Sequence, residues 1–172
     1  MTKILQCVSP IDGSIYLERE TLAPGAAFSA VARARAAQSD WAARPLQERV
    51  DLCLKAVAEV GQTVDQMAIE LAHQMGRPVR YGGEFGGFEE RALYMAKIAA
   101  SSLESLVVED SSSFRRLIKR EPHGVIFLVA PWNYPYLIAV NALVPGLIAG
   151  NTVILKHATP VSCTHLTLPT KA

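Results

Sequence analysis

The sequence predicts an α/β fold in which an N-terminal hairpin and a layer of helices precede one βαβ unit whose sheet is incomplete. Three observations carry that expectation. Residues 125–155 hold no charged side chain, yet the run is broken by Pro131-Trp132-Asn133-Tyr134-Pro135, by Pro145-Gly146 and by Gly150-Asn151. Between residues 24 and 104 the apolar side chains recur at helical spacing. Ahead of them, Ser9-Pro10-Ile11-Asp12-Gly13 separates two extended runs.

In chain order, residues 4–20 read as a hairpin around that turn signal. Residues 26–41 are alanine-rich and helical in pattern. Leu46, Val50, Cys53, Leu54 and Val57 share one helical face, which makes Cys53 a small core residue rather than a reactive thiol. Thr63 and Gln66 have capping-box spacing ahead of Val64, Met67, Leu71 and Met75, and Gly76 with Pro78 ends that helix. After a loose Tyr81-Gly82-Gly83 link, Phe85, Phe88, Ala92, Met95, Ala99 and Leu103 mark another amphipathic helix. Ser111 to Ser113 forms a turn into a basic strand over residues 114–121.

Residues 125–129 lack polar alternation, as a strand buried on both faces does. Pro135 suits the first turn of a helix, where its missing N–H has no partner to lose. A helix therefore starts near Tyr134 and runs to Ala149, apolar nearly all round, with a kink or short break expected at Pro145. Gly150-Asn151 stops it. Residues 152–155 give a second buried strand, parallel to the first, and Lys156 restores charge at its end. Both strands call for neighbours, but only thirteen residues follow Thr159.

Composition narrows the function. Half of the 172 residues are hydrophobic and the net charge is +1, so one domain with a real core is possible and no nucleic-acid partner is called for. The basic cluster at residues 115–120 carries Leu117 and Ile118 within it, which reads as a solvated strand. A membrane span needs about twenty apolar residues, but here two prolines and Asn133 would sit near one end and Asn141 near the middle. Residues 1–10 show no signal peptide. Cys7, Cys53 and Cys163 have no metal-ligand spacing, nor do His73, His123, His157 and His165, so a reducing, cytoplasmic setting with no metal is expected.

Chemistry concentrates on the loop after the first buried strand, because loops at the carboxyl ends of strands form the ligand crevice of open α/β sheets. Lys156 shares that rim. An asparagine amide there can donate to a developing oxyanion, and a lysine can bond ribose hydroxyls or phosphate. Equally, Asn133 can cap the following helix while Lys156 only re-solvates a strand end. The residues alone do not choose.

Residues 124–135, Gly-Val-Ile-Phe-Leu-Val-Ala-Pro-Trp-Asn-Tyr-Pro, followed by Pro145, by Ala149-Gly-Asn-Thr-Val153 and by Leu155-Lys156, resemble the aldehyde dehydrogenase superfamily. The likeness extends back through Arg120-Glu-Pro-His-Gly124 and the helical region to the Ser9 turn, covering residues 1–159. It implies the N-terminal part of a Rossmann-like cofactor domain, with a bridging or oligomerisation strand at about 113–121, in a homo-oligomeric enzyme. Such an enzyme oxidises an aldehyde to a carboxylic acid with NAD or NADP, through a cysteine thiohemiacetal. By the same resemblance Asn133 is the catalytic oxyanion donor; Val129, Ala130, Pro131, Trp132, Lys156 and Thr159 are cofactor-binding; Tyr134 lines the substrate tunnel.

Where many members continue Lys-Pro-Ser-Glu, this chain has Lys156-His157-Ala158-Thr159. A carboxylate there repels a 2′-phosphate and a threonine does not, which leaves NADP open. Residues 160–172 carry no motif of the family and are expected to be a tail outside it, and Cys163 within them is not a nucleophile candidate. The nucleophile of the family lies downstream of these motifs, so the chain is expected to be inactive alone. The alternative is a non-catalytic nucleotide-binding or subunit-docking module.

Overall fold

The computed structural model describes residues 3–159. Residues 160–172, with Cys163, His165 and the expected boundary of the tail, lie outside the described residues. The chain begins with strands β1 (Ile4–Val8) and β2 (Ile15–Glu20), paired antiparallel. Asp12 Oδ1 accepts the Ser14 N–H at 3.0 Å and the Ser14 hydroxyl at 2.8 Å, which closes the predicted turn. Helices α1 (Pro24–Ala43), α2 (Leu46–Gly61), α3 (Val64–Met75) and α4 (Phe85–Leu103) follow, each where apolar spacing places it. Gly76 ends α3 in the left-handed conformation (φ 76°), which glycine adopts without steric cost.

A second antiparallel hairpin, β3 (Leu106–Asp110) with β4 (Arg115–Ile118), stands away from the core, with every residue from 111 to 120 exposed. Finally β5 (Val125–Val129), α5 (Pro135–Ile148) and β6 (Thr152–Lys156) form the βαβ unit. Its strands are parallel, in register from Val125 opposite Thr152 to Val129 opposite Lys156. The expected α/β architecture with an incomplete sheet is what the chain adopts: three sheets, each of two strands, among the described residues.

The core lies between α2, α4 and α5. Val50, Cys53, Val57, Phe88, Ala92, Val140, Val144 and Ile148 are buried together there with Met67 and Leu71 of α3. Burying each large aliphatic side chain contributes about 1.5–3 kcal/mol. The α4–α5 approach is close at Gly87, where an added Cβ would meet Leu137 Cδ1 at 2.9 Å and displace the end of that side chain. That approach brings the start of α4 to the start of α5.

At its other end α5 is held by side chains of α1, α2 and the following turn. Trp41 Nε1 donates to the Leu147 carbonyl (2.8 Å), Arg49 Nε to that of Ile148 (2.9 Å), Gln38 Nε2 to that of Gly150 (3.1 Å) and Asn151 Nδ2 to that of Gly146 (2.9 Å). The last carbonyls of a helix lack intrahelical partners, and a guanidinium also suits the negative end of the dipole. Asn151 Oδ1 meanwhile accepts the Gly124 N–H at 3.0 Å, stitching the entrance of β5 to the end of α5.

Four details depart from the expectation. Helix α5 runs through Pro145 without a break, and Asn141 and Ile138 form an outward stripe on it. Thr63 is the N-cap of α3 but its hydroxyl donates to Val60 O at 2.8 Å instead of capping, so the capping box does not form. The basic strand is shorter than residues 114–121 and has a partner, β3, that the sequence did not announce. Strands β5 and β6 are not buried on both faces: Phe127 is 65% exposed, since no further strand or helix among the described residues covers it. No described helix is long and apolar enough to cross a membrane.

Asn151 is 3% exposed and bonded through both ends of its amide. Asn151→Ala should cost about 1–3 kcal/mol, because it leaves the part-buried Gly124 N–H unmet, while the Gly146 carbonyl keeps the backbone N–H of residue 151. Urea denaturation measures it; an unchanged midpoint would contradict this role.

Candidate functional site

Strand register sets the site. Val129 and Lys156 are partners at the carboxyl ends of β5 and β6, and Ala130 N–H continues the ladder to the Lys156 carbonyl at 3.0 Å. Loop residues 130–134 and Lys156 therefore share one rim, with Thr159 exposed three residues further on. Ala130 is buried and Pro131 half-buried, while Trp132, Asn133, Tyr134 and Lys156 are exposed. All seven sequence-predicted cofactor and catalytic positions thus lie on β5, on β6 or within a few residues of their carboxyl ends. Tyr134 is drawn slightly apart, toward α4.

Helix α5 starts at Pro135 with Tyr134 as N-cap, and no N-cap side chain bonds its first amides. They are met from elsewhere in the chain. Glu84, the residue before α4, accepts the N–H groups of Tyr136 (3.0 Å) and Leu137 (2.8 Å) on its Oε2. A carboxylate at a helix N-terminus is doubly favoured, by charge-assisted hydrogen bonds and by the dipole. Its side chain is 1% exposed, and its Oε1 takes an ion pair from Arg77 Nη1 at 2.6 Å. The other arm of the Arg77 fork, Nη2, donates to the Asn133 carbonyl at 2.6 Å, while the guanidinium lies 4.5 Å from the centre of the Tyr134 ring.

This arrangement removes one of the two readings of Asn133. It is not the helix cap; Glu84 supplies that function, and no hydrogen bond holds the Asn133 side chain among the described residues. The Asn133 backbone is anchored while its amide remains available to donate at the rim. Beside it an open cleft of about 350 Å³ is lined by Arg77, Tyr81, Gly86, Gly87, Tyr134 and Leu137.

Arg77 and Glu84 were missed from the sequence. Their trace was two opposite charges bracketing the Gly82-Gly83 link, where Gly76 and Pro78 explained the helix stop by themselves. Nothing local ties Glu84 to an amide 52 residues away.

The thiols within the described residues are poor nucleophiles. Burial pushes the Cys53 thiol up to about 11 despite Arg49, and burial with the nearby Glu70 carboxylate raises Cys7 as well. His73 stacks on Tyr16 with ring centres 4.5 Å apart, and no group of His, Cys, Asp and Glu among the described residues is placed to hold a metal.

The sequence model of the Aldehyde dehydrogenase family matches residues 2–170, past the boundary at 159 drawn from the motifs. The EPTC-inducible aldehyde dehydrogenase of Rhodococcus erythropolis is 31% identical over 175 aligned positions, covering 92% of this chain and 34% of that protein. Among solved structures, the NADP-dependent glyceraldehyde-3-phosphate dehydrogenase of Bacillus halodurans, complexed with NADP, superposes with a TM-score of 0.84 at 26% identity, over 93% of this chain and 35% of the other. PnpE of Pseudomonas sp. WBC-3 gives 0.83 at 26%, over 95% and 34%, and PnpE in complex with nicotinamide adenine dinucleotide gives 0.85 at 27%, over 95% and 34%. The chain spans about a third of the length of these relatives.

Because a thiol reacts as its thiolate, Cys7 and Cys53 should label with a maleimide at pH 8 about tenfold or more slowly in the folded chain than in urea. Peptide mapping by mass spectrometry reads each site, and fast native labelling of Cys53 would contradict its burial.

Proposed function

The chain belongs to the aldehyde dehydrogenase family, and from that premise we propose that it supplies the cofactor-side rim of an NAD(P)-dependent oxidoreductase that converts an aldehyde to a carboxylic acid. The observation that carries the proposal is the β5–β6 register, which pairs Val129 with the exposed Lys156 and so puts that lysine on the same rim as the loop that holds the exposed Asn133. The bound nicotinamide supplies the hydride acceptor. The chain's own residues do the rest of what falls to this third of the enzyme.

In this reading the strand end at Val129 and Ala130, with Pro131 and Trp132, lies along the dinucleotide, and Lys156 donates to ribose hydroxyls or a phosphate. The exposed Lys156 ammonium fits such a group. Thr159 replaces a carboxylate that would repel a 2′-phosphate, so the rim accepts NADP as well as NAD. Complexes of relatives with each dinucleotide support that breadth. Asn133 donates its amide N–H to the oxyanion formed when a thiolate adds to the aldehyde carbonyl, a contribution made only where charge develops. Tyr134 lines the approach of the aldehyde beside the open cleft.

We assign the nucleophilic cysteine that forms the thiohemiacetal to residues outside this chain, since burial keeps Cys7 and Cys53 protonated. The 172-residue chain by itself then binds dinucleotide without turning over aldehyde. Residues 1–159 form the N-terminal part of the cofactor domain in this reading, and the family match runs on to residue 170. The exposed hairpin of β3 and β4, which carries Leu106, Val108, Phe114 and Ile118 in the open, serves as the bridging arm of a homo-oligomer. Cys7 and Cys53, which form no disulfide among the described residues, fit a reducing, cytoplasmic compartment.

Calorimetric titration with NAD+ and NADP+ tests the proposal. Binding should weaken about fivefold or more in Lys156→Ala, the loss of one charge-assisted hydrogen bond, and aldehyde should yield no NAD(P)H with the chain alone. Absence of dinucleotide binding, indifference to Lys156→Ala, or aldehyde-dependent reduction would each contradict it.

A further inference from the structure

We infer that Glu84 and Arg77 are positioning residues that keep the Asn133 amide available for the reacting oxygen by taking the hydrogen-bonding role that Asn133 would otherwise fill. The inference deepens the proposed function and rests on it for the role of Asn133; the geometry beneath it stands separately.

The first amides of α5 demand an acceptor, since they have none inside the helix. Asparagine is among the strongest N-cap residues, and Asn133 lies one position before the observed cap, Tyr134. In the absence of another acceptor a one-residue slip of the loop would bring the Asn133 side chain onto the exposed N–H groups. Its oxygen would accept from them and its orientation would be lost to the rim. Glu84 forecloses that slip, because its Oε2 already holds the Tyr136 and Leu137 N–H groups at 3.0 and 2.8 Å.

Arg77 completes the device from the other side. One nitrogen of its fork pairs with Glu84 Oε1 and another holds the Asn133 carbonyl, both at 2.6 Å, while its plane covers the Tyr134 ring. A planar guanidinium makes these contacts together; an ammonium, a single point of charge, cannot span both oxygens in the same geometry. Glu84 thus fixes the helix end, and Arg77 transmits that fix to the backbone of Asn133. The residues come from the segment between α3 and α4, so the donor is registered against the helical layer as well as its own strand.

Amide hydrogen exchange and nuclear Overhauser contacts, measured by NMR on the ligand-free 172-residue chain, test this. In Glu84→Ala, exchange at Tyr136 and Leu137 should rise about tenfold or more relative to the core amides of Val57 and Ala92, and the Asn133 side-chain amide should gain a contact to the start of α5. Glu84→Gln, which keeps an uncharged acceptor of the same shape, should hold exchange at Tyr136 and Leu137 near the parent while the Arg77–Tyr134 ring contact is lost. Arg77→Lys should leave those two amides protected and release only Asn133 and Tyr134. Unchanged exchange at Tyr136 and Leu137 in Glu84→Ala would overturn the inference, as would an equal rise at Val57 and Ala92, which marks general destabilisation. If Glu84→Ala does not fold, a Glu84→Gln chain with parental Asn133 and Tyr134 contacts overturns it alone. None of these readouts requires nucleotide, so a failed clamp and a failed functional reading give different results.

Discussion

A helix as apolar as α5 can be buried only when both of its polar ends are met by hydrogen-bond partners, because its first N–H and last C=O groups have none within the helix. In this chain the helical layer meets both. Glu84 takes two amides at the N-terminus, and Trp41, Arg49 and Gln38 take carbonyls at and just past the C-terminus. The layer of α1, α2 and α4 is therefore a vice around α5 as well as its apolar wall. Left unmet, buried polar groups at either end would each cost about 1–3 kcal/mol, enough to forfeit much of the marginal stability of a domain this size.

The same constraint places the candidate site. The loop that leaves β5 has to reach an α5 whose start is already fixed, so residues 130–134 span between two immobile points. Arg77 anchors that span at the Asn133 carbonyl, and the parallel ladder carries Lys156 to the same rim. Asn151 closes the circuit by tying the entrance of β5 to the end of α5. The rim is consequently held at its backbone while Trp132, Asn133, Tyr134 and Lys156 are exposed.

How much of this could be read beforehand follows from the range of each interaction. The βαβ unit was legible because its signals are local: an uncharged run, Pro135 inside a helix start, Gly150-Asn151 past its end. The rim residues were singled out by the family resemblance, and their place at the strand ends follows from the βαβ unit. That Asn133 does not cap α5 was not legible, since the first amides of the helix are taken by Glu84, 52 and 53 residues away. Thr63 misled for a related reason. Its spacing to Gln66 fits a capping box, but the Val60 carbonyl at the end of the previous helix captured its hydroxyl first. Strand β3 follows α4 within a few residues and has no turn signal of its own, so only its pairing with β4 reveals it. The burial expected for β5 and β6 assumed neighbours that the described residues do not include, which is why Phe127 and Val129 face outward.

On the function proposed above, the carboxyl rim of β5 and β6 is half of a dinucleotide site. Backbone amide chemical-shift mapping during titration with NADP+ addresses it most directly, since each residue reports separately. Shifts should be confined to Val129, Ala130, Trp132, Asn133, Lys156 and their immediate neighbours, with the β1–β2 hairpin unmoved. Shifts that cluster on that hairpin or on the basic β4 strand, or a rim that does not respond at saturating nucleotide, would contradict it.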